Sequence, residues 1–114
     1  MANPGDSSVI NGTTYTVVNN STIANQIADG NVNLCTTLVT DMSSMFLYAR
    51  SFNQDIGNWD TSNVSEMTSM FRGASSFNQN LSNWCVINIS TEPDSFAFNS
   101  AIKLVDKPLW GDCP

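Results

Sequence analysis

Apolar and polar residues alternate along this chain in a pattern that repeats after 25 positions. Two consecutive blocks, residues 39–63 and 64–88, align without a gap and are identical at 13 of their 25 positions. A fixed period in this range is typical of repeat architectures. One such unit cannot bury its own apolar face, so neighbouring units stack on each other.

Within each block the first apolar residues follow helical spacing. They are Val39, Met42, Met45, Phe46 and Ala49 in the first block, and Val64, Met67, Met70, Phe71 and Ala74 in the second. The segments 55–60 and 80–85 then predict short strands, with Ile56 and Leu81 pointing inward. The pattern therefore predicts an α/β fold, a short solenoid of helix-plus-strand coils. We expect its core to contain Phe46, Phe52, Ile56, Phe71, Phe77, Leu81 and the methionines Met42, Met45, Met67 and Met70.

The flanking segments do not complete a third unit, and we interpret them as caps of one repeat domain. Residues 1–38 form the N-terminal cap, with a strand expected at 15–18 and a helix that begins after Ser21 or Thr22 and ends at Gly30. Residues 39–63 and 64–88 are the two repeats. Residues 89–114 begin a partial repeat and form the C-terminal cap.

The charge of the chain limits the classes of molecule that it can bind. The 114 residues carry only four cationic side chains and a net charge of −6. So few cations cannot form a phosphate-binding surface, so we expect neither nucleic acid nor an anionic membrane as partner. No apolar run reaches the length of a membrane span, and residues 1–8 lack the features of a signal peptide. We interpret the sequence as part of a longer secreted protein.

The composition argues against catalysis. The chain has no histidine, which excludes the common Ser-His-Asp and Cys-His sites. A glycosidase pair could be drawn from Asp55, Asp60 and Asp41/Glu66. Asn80 and Cys85 replace Asp55 and Asp60 in the second repeat, so we interpret these two as solvated positions. No calcium-loop pattern is present, and we expect no metal and no cofactor. The repeated Asn53/Asn78, Asn58/Asn83 and Asn63/Asn88 are better explained as ladders that bond turn backbone.

The three cysteines cannot all pair within the chain. Cys85 and Cys113 bracket the C-terminal segment, and we predict a disulfide between them. Cys35 is then free, either as a buried thiol or because its partner lies outside this sequence. Zinc binding is disfavoured by the spacing and by the absence of histidine.

The segments VTDMSSMF and SFNQDIGNWDTSN, repeated as VSEMTSMF and SFNQNLSNWC, resemble the repeats of BspA-like bacterial surface proteins. Those repeats are also described as mycoplasma lipoprotein-associated, and the resemblance covers residues 34–113. It implies a leucine-rich-repeat-like fold, an extracellular or cell-surface location and an adhesive or interactive role. It implies no catalytic residues.

We therefore expect a non-enzymatic extracellular surface domain that mediates adhesion or binds an unidentified protein or glycan. The alternative is a carbohydrate-binding module that uses exposed aromatic side chains, which requires Trp59 or Trp84 to face solvent. Positions that differ between the repeats are free to carry specificity, because the shared ones are committed to the fold. Arginine and tyrosine are frequent binding hot spots, so Tyr48, Arg50 and Arg72 are the candidate partner-binding residues.

Overall fold

The strands and the α-helix of the described residues all lie in the N-terminal part of the protein. The computed structural model describes residues 3–114. Strands β1 (Ser7–Ile10) and β2 (Thr13–Val17) form an antiparallel hairpin, and β3 (Leu34–Cys35) adds to β2 in parallel, giving the sheet order β1-β2-β3. The hairpin turn is Asn11-Gly12, where both residues have positive φ, as the favoured two-residue turn requires.

Helix α1 (Ile23–Ala28) connects β2 to β3 and occupies the segment for which the sequence predicts a helix. Ile23 is buried against the repeats, and Ile27 packs against the same core. Gly30 follows the helix with a φ of 82°, the left-handed conformation that commonly ends helices. The Thr22 hydroxyl does not cap the helix and instead accepts a hydrogen bond from the Asn19 backbone N–H.

The predicted repeat helices are not formed. Residues 39–49 and 64–74 are turns in which every fourth residue or so adopts positive φ: Ser44 and Tyr48 in the first repeat, Ser69 and Gly73 in the second. An α-helix cannot continue through such residues, because the left-handed conformation misdirects the i→i−4 hydrogen bonds. The apolar spacing was compatible with a helix, but the same spacing is satisfied here by a succession of tight turns.

Backbone hydrogen bonds in this region alternate between two directions. The N–H groups of Met45, Leu47 and Ala49 donate to the carbonyl three residues earlier. The intervening N–H groups donate to the next repeat: Ser44 to Thr68, Phe46 to Met70 and Tyr48 to Arg72, at 2.7–2.9 Å. Half of the bonds thus close turns, and the other half join neighbouring repeats.

The predicted strands at 55–60 and 80–85 are also absent. Each segment is a turn held by a side chain, since Asp55 Oδ1 accepts from the Gly57 N–H and Asn80 Oδ1 from the Ser82 N–H, both at 2.9 Å. Short polar side chains that bond the backbone two residues on favour turns over strands. The prediction of a leucine-rich-repeat-like solenoid of helix-plus-strand coils is therefore wrong. Residues 3–114 form a small globule with a three-stranded mixed sheet, one short α-helix, one 3₁₀ turn and otherwise turns and coil.

The core nevertheless lies where the repeat pattern predicts it. Among the expected core residues, Phe52 and Met45 are only half-buried, and the other eight are buried: Phe46, Ile56, Phe71, Phe77, Leu81, Met42, Met67 and Met70. The phenylalanine rings of the two repeats stack, with centroids 5.3 Å apart for Phe46–Phe71 and 5.6 Å for Phe52–Phe77. Equivalent side chains of successive repeats therefore form continuous apolar columns.

The C-terminal segment covers the far side of the second repeat. A 3₁₀ turn spans Leu104–Asp106, and the Trp110 ring packs edge-on against Phe96 with centroids 4.8 Å apart. The Leu81 and Val86 N–H groups donate to the carbonyls of Asp106 and Asp112. A disulfide joins Cys85 to Cys113, the pairing that the sequence favours, and Cys35 is a free, half-buried thiol.

Candidate binding surfaces

The candidate residue Tyr48 lies on the surface of the first repeat. Its side chain is 54% exposed, and its backbone has a φ of 56°. The ring lies over Gly73 in the second repeat, where a Cβ atom would collide with it. Glycine at this position of the second repeat therefore makes room for the tyrosine of the first.

Arg72, the second candidate, is held against an aromatic ring that the sequence analysis did not single out. Its guanidinium lies 5.6 Å from the centroid of the Phe98 ring, and Phe98 is 56% exposed. The Gly73 N–H donates to the Phe98 carbonyl at 2.8 Å, which fixes the two segments side by side. We call the surface formed by Tyr48, Arg72 and Phe98 the aromatic face.

Phe98 was missed because the third repeat is shifted by one residue. Positive φ occurs at Ser69 and Gly73 in the second repeat, and 26 residues later at Ser95 and Asn99. Phe98 therefore occupies the position of Arg72, whereas a gapless 25-residue alignment sets it opposite Gly73. The third candidate, Arg50, is exposed two residues after Tyr48 and makes no ion pair within residues 3–114.

The two repeat tryptophans are buried. Trp59 is 4% exposed and Trp84 1%, and their indole Nε1–H groups donate to the Val32 and Ile56 carbonyls at 3.0 Å. Buried rings with satisfied N–H groups are core residues. Neither tryptophan offers a ring face to a sugar, so the exposed aromatic side chains of this surface are Tyr48 and Phe98.

Two of the three repeated asparagine pairs stabilise the fold. The Asn63 and Asn88 amides donate to the carbonyls of Thr37 and Ser62, one repeat earlier, at 2.8 and 3.0 Å. Asn53 Oδ1 accepts from the Asn78 backbone N–H at 3.0 Å. These contacts confirm the ladder interpretation for Asn63/Asn88 and for Asn53, whereas the Asn78 side chain makes no hydrogen bond within residues 3–114.

The third pair behaves differently. Asn58 and Asn83 are exposed, and their side chains make no hydrogen bond within residues 3–114, so the ladder interpretation is wrong for them. Both line a shallow groove of about 530 Å³ across the two repeats. We call it the amide groove; its lining is Asp55, Gly57, Asn58, Trp59, Asn80 and Asn83.

A second groove, of about 290 Å³, lies where the sheet meets the first repeat. Ile10, Tyr15 and Leu34 supply its apolar part, and the Cys35 thiol lies in it, 3.7 Å from the Thr37 hydroxyl. Asp60 stands at the polar side. Hydrogen bonds from the Ser62 hydroxyl, and further from the Ser62 N–H and the Thr37 hydroxyl, outweigh partial burial and lower the pKa of the Asp60 carboxyl below its ordinary value of 3.8.

The part of the chain that the structure describes holds no group of three or more cysteine, aspartate or glutamate side chains able to bind a metal ion. In the same residues, no helix is long and apolar enough to cross a membrane.

Comparison with known families identifies the family to which the chain belongs. Residues 13–107 match the family described as "Mycoplasma protein of unknown function, DUF285", and the chain belongs to this family. The match covers β2, β3, α1 and both repeats, whereas β1 lies before it. No curated protein and no solved structure matches the sequence significantly.

Proposed function

We propose that this member of the DUF285 family is a non-enzymatic interaction domain at the cell surface or in secreted form, which binds a protein partner through Tyr48, Arg50 and Arg72. The observation that carries the proposal is the aromatic face, on which an exposed tyrosine and an arginine already stacked on Phe98 stand side by side. The resemblance of the repeats to BspA-like surface proteins supports the extracellular location.

Two side chains of this face already contact a neighbouring repeat in the unbound protein. Tyr48 rests on Gly73, and the Arg72 guanidinium rests on the Phe98 ring. Association costs about 0.5–1.5 kcal/mol for each flexible side chain that it immobilises. Prior ordering lowers that cost, and tyrosine and arginine supply the large contact areas typical of binding hot spots.

Charge indicates the chemistry of the partner. Of the four cations, Lys107 is paired with Glu92 at 2.8 Å, whereas Arg50 and Arg72 make no ion pair among the described residues. Arg72 beside the exposed Phe98 ring, and Arg50 two residues after Tyr48, favour a partner that presents carboxylates beside apolar side chains. The partner we propose is thus an acidic protein surface.

The test begins with a binding screen of the purified chain against extracellular proteins and a glycan array. For each protein captured, the variant Tyr48→Ala/Arg50→Ala/Arg72→Ala is compared with the control Lys103→Ala/Leu104→Ala/Val105→Ala, which removes one cation and two exposed apolar side chains elsewhere. Hot-spot truncations cost about 2 kcal/mol or more, so the first variant should bind at least about thirtyfold more weakly.

The control variant should bind as the unmodified chain does, and binding should weaken as salt is raised. Equal affinity of all three proteins, with unchanged melting temperatures, would exclude the aromatic face as the binding surface. A Phe98→Ala variant adds a finer check, because it leaves all three candidates in place and removes only the support of Arg72.

A further inference from the structure

We propose that the amide groove is a binding site for neutral oligosaccharides, with Asn58 and Asn83 as the residues that hydrogen-bond the sugar hydroxyls. This site goes beyond the proposed protein-binding function and does not depend on it. It uses other residues, and it differs from the earlier carbohydrate alternative because it relies on amides rather than on exposed aromatic rings.

The first step of the argument is the contrast among the asparagine pairs. Asn63 and Asn88 show what an amide does in this fold when it serves stability, because each bonds a carbonyl of the preceding repeat. Asn58 and Asn83 are repeated in the same way, yet their amides bond nothing within the described residues. Hydrogen bonds within the fold therefore do not account for the amides at these two positions.

The second step is the geometry of the groove. Both amides line the same depression, which Gly57 helps to form: a Cβ there would come within 2.7 Å of the Asn80 carbonyl oxygen. The chains of the two repeats thus approach closely beneath the groove, and no side chain fills it from Gly57. The volume of about 530 Å³ lies within the range of small-ligand sites, about 300–1,000 Å³.

The third step is the chemistry of the lining. An amide offers two N–H donors and a carbonyl acceptor, which matches hydroxyl groups that both donate and accept. The Asp55 carboxylate, whose Oδ1 bonds the Gly57 N–H, adds acceptor capacity. No cation lines the groove, which disfavours acidic sugars, and the burial of Trp59 leaves little apolar area for peptide side chains.

Two amides placed at one position of successive repeats also favour a ligand that repeats itself. An oligosaccharide presents the same hydroxyls on each unit, so one chain can meet both amides at once, and the second contact forms at high effective concentration. A free monosaccharide reaches fewer of the groups and should bind more weakly.

The experiment follows the side-chain amide signals of Asn58 and Asn83 by NMR while cellohexaose, laminarihexaose or mannohexaose is added. Concentrations extend to about 5 mM, enough to detect a site with a Kd near 1 mM. We expect at least one of these probes to shift both amide signals. The double variant Asn58→Ala/Asn83→Ala should lose about tenfold or more in affinity. The matched control is Asn25→Ala, an exposed asparagine of α1 whose amide also makes no hydrogen bond in residues 3–114.

Neither variant removes a side-chain hydrogen bond of the described residues, and a thermal melt checks that the fold is retained. The proposal is overturned if none of the three hexasaccharides moves the Asn58 and Asn83 signals of the unmodified chain. It is equally overturned if an uncharged Ser/Thr-rich hexapeptide shifts these signals more strongly than any sugar does, because the groove is then a peptide site.

Discussion

The N-terminal segment and the stacked repeats differ in where they place their hydrogen bonds and their apolar side chains. The hairpin of β1 and β2 pairs its backbone regularly but stays largely on the surface, and Val9 is 65% exposed. The repeats have no regular helix or strand, yet they hold most of the core. Regular secondary structure and stability are therefore separate properties in this molecule.

The reason lies in the repeat itself. Each side chain that faces inward has an equivalent one repeat away, so aromatic and methionine columns form without a helix to align them. Between Ser44 and Ala49, alternate backbone N–H groups donate to carbonyls of the next repeat. Buried polar groups are paired in the same manner: the hydroxyls of Thr36 and Thr61 donate to the carbonyls of Asp60 and Cys85 at 2.9 and 2.8 Å.

The sharpest test of this comparison is to truncate one apolar side chain in each region. Phe71 is fully buried and packs against the rings of Phe46, Phe77, Trp84 and Phe96. Phe71→Ala should lower the free energy of unfolding by about 3–5 kcal/mol, measured by urea denaturation. The counterpart Val9→Ala in β1 should change it by less than about 0.5 kcal/mol.

A small loss for Phe71→Ala would mean that the aromatic columns do not carry the stability. A loss of more than about 1 kcal/mol for Val9→Ala would mean that the hairpin contributes more than its exposure indicates.

The two ends of the molecule provide the second test. The N-terminal end is fixed by the sheet and by Asn20, whose side chain bonds the Thr40 N–H at 2.9 Å, whereas the C-terminal end is fixed by the Cys85–Cys113 disulfide. The disulfide closes a loop with a sequence separation of 28. In the chain-entropy description, Cys85→Ser/Cys113→Ser should therefore lower the free energy of unfolding by about 3–4 kcal/mol. Cys35→Ser serves as the control and should have a far smaller effect.

Mass spectrometry of a non-reduced digest identifies the crosslink independently. A crosslink that contains Cys35, or three titratable thiols in oxidised protein, would contradict this pairing.

The third test sharpens the contrast between the asparagine pairs. Asn63→Ala removes an amide that bonds the Thr37 carbonyl and should cost about 1 kcal/mol. Asn58→Ala removes an exposed amide without a partner among the described residues and should leave the melting temperature unchanged. Equal losses for the two variants would show that Asn58 also supports the fold, and would remove the first argument for a sugar site in the amide groove.

How much of this could be predicted from sequence depends on whether the signal is periodic. Burial of Phe71, Ile56 and Leu81 followed directly from the 25-residue period, because stacking puts equivalent positions in the same place. The backbone conformation could not be predicted in this way, because helical spacing of apolar residues fits a helix and a chain of turns equally well. Ser44 and Ser69 adopt positive φ without any residue-type signal such as glycine, held there by bonds to residues far away in sequence.

The binding surfaces also contain residues that the sequence predicts and residues that it does not. Tyr48 and Arg72 stood out as positions that differ between the repeats, and the structure brings them to one face. Phe98 could not be identified from the sequence, because the one-residue shift of the third repeat hides its equivalence to Arg72. Asn58 could be distinguished from the other repeated asparagines only by comparing their hydrogen bonds, which the sequence alone does not reveal.

The smallest expected effect concerns the junction between the two regions, where Asp60 of the first repeat accepts hydrogen bonds from Ser62 and from Thr37 next to β3. These bonds favour the carboxylate and hold its pKa in the folded state below the ordinary value of 3.8. The stabilisation is therefore fully present above about pH 4 and is lost as the pH falls through the lower, folded-state pKa.

Because the carboxylate is largely exposed, we expect Asp60→Asn to cost less than about 1 kcal/mol at pH 7. Urea denaturation at pH 7 and at about pH 2 should show the difference from the unmodified chain shrinking in acid. The control Asp29→Asn, in an exposed residue after α1, should show no such change. A loss that is equal at both pH values would mean that the Asp60 side chain contributes by its shape and not by its charge.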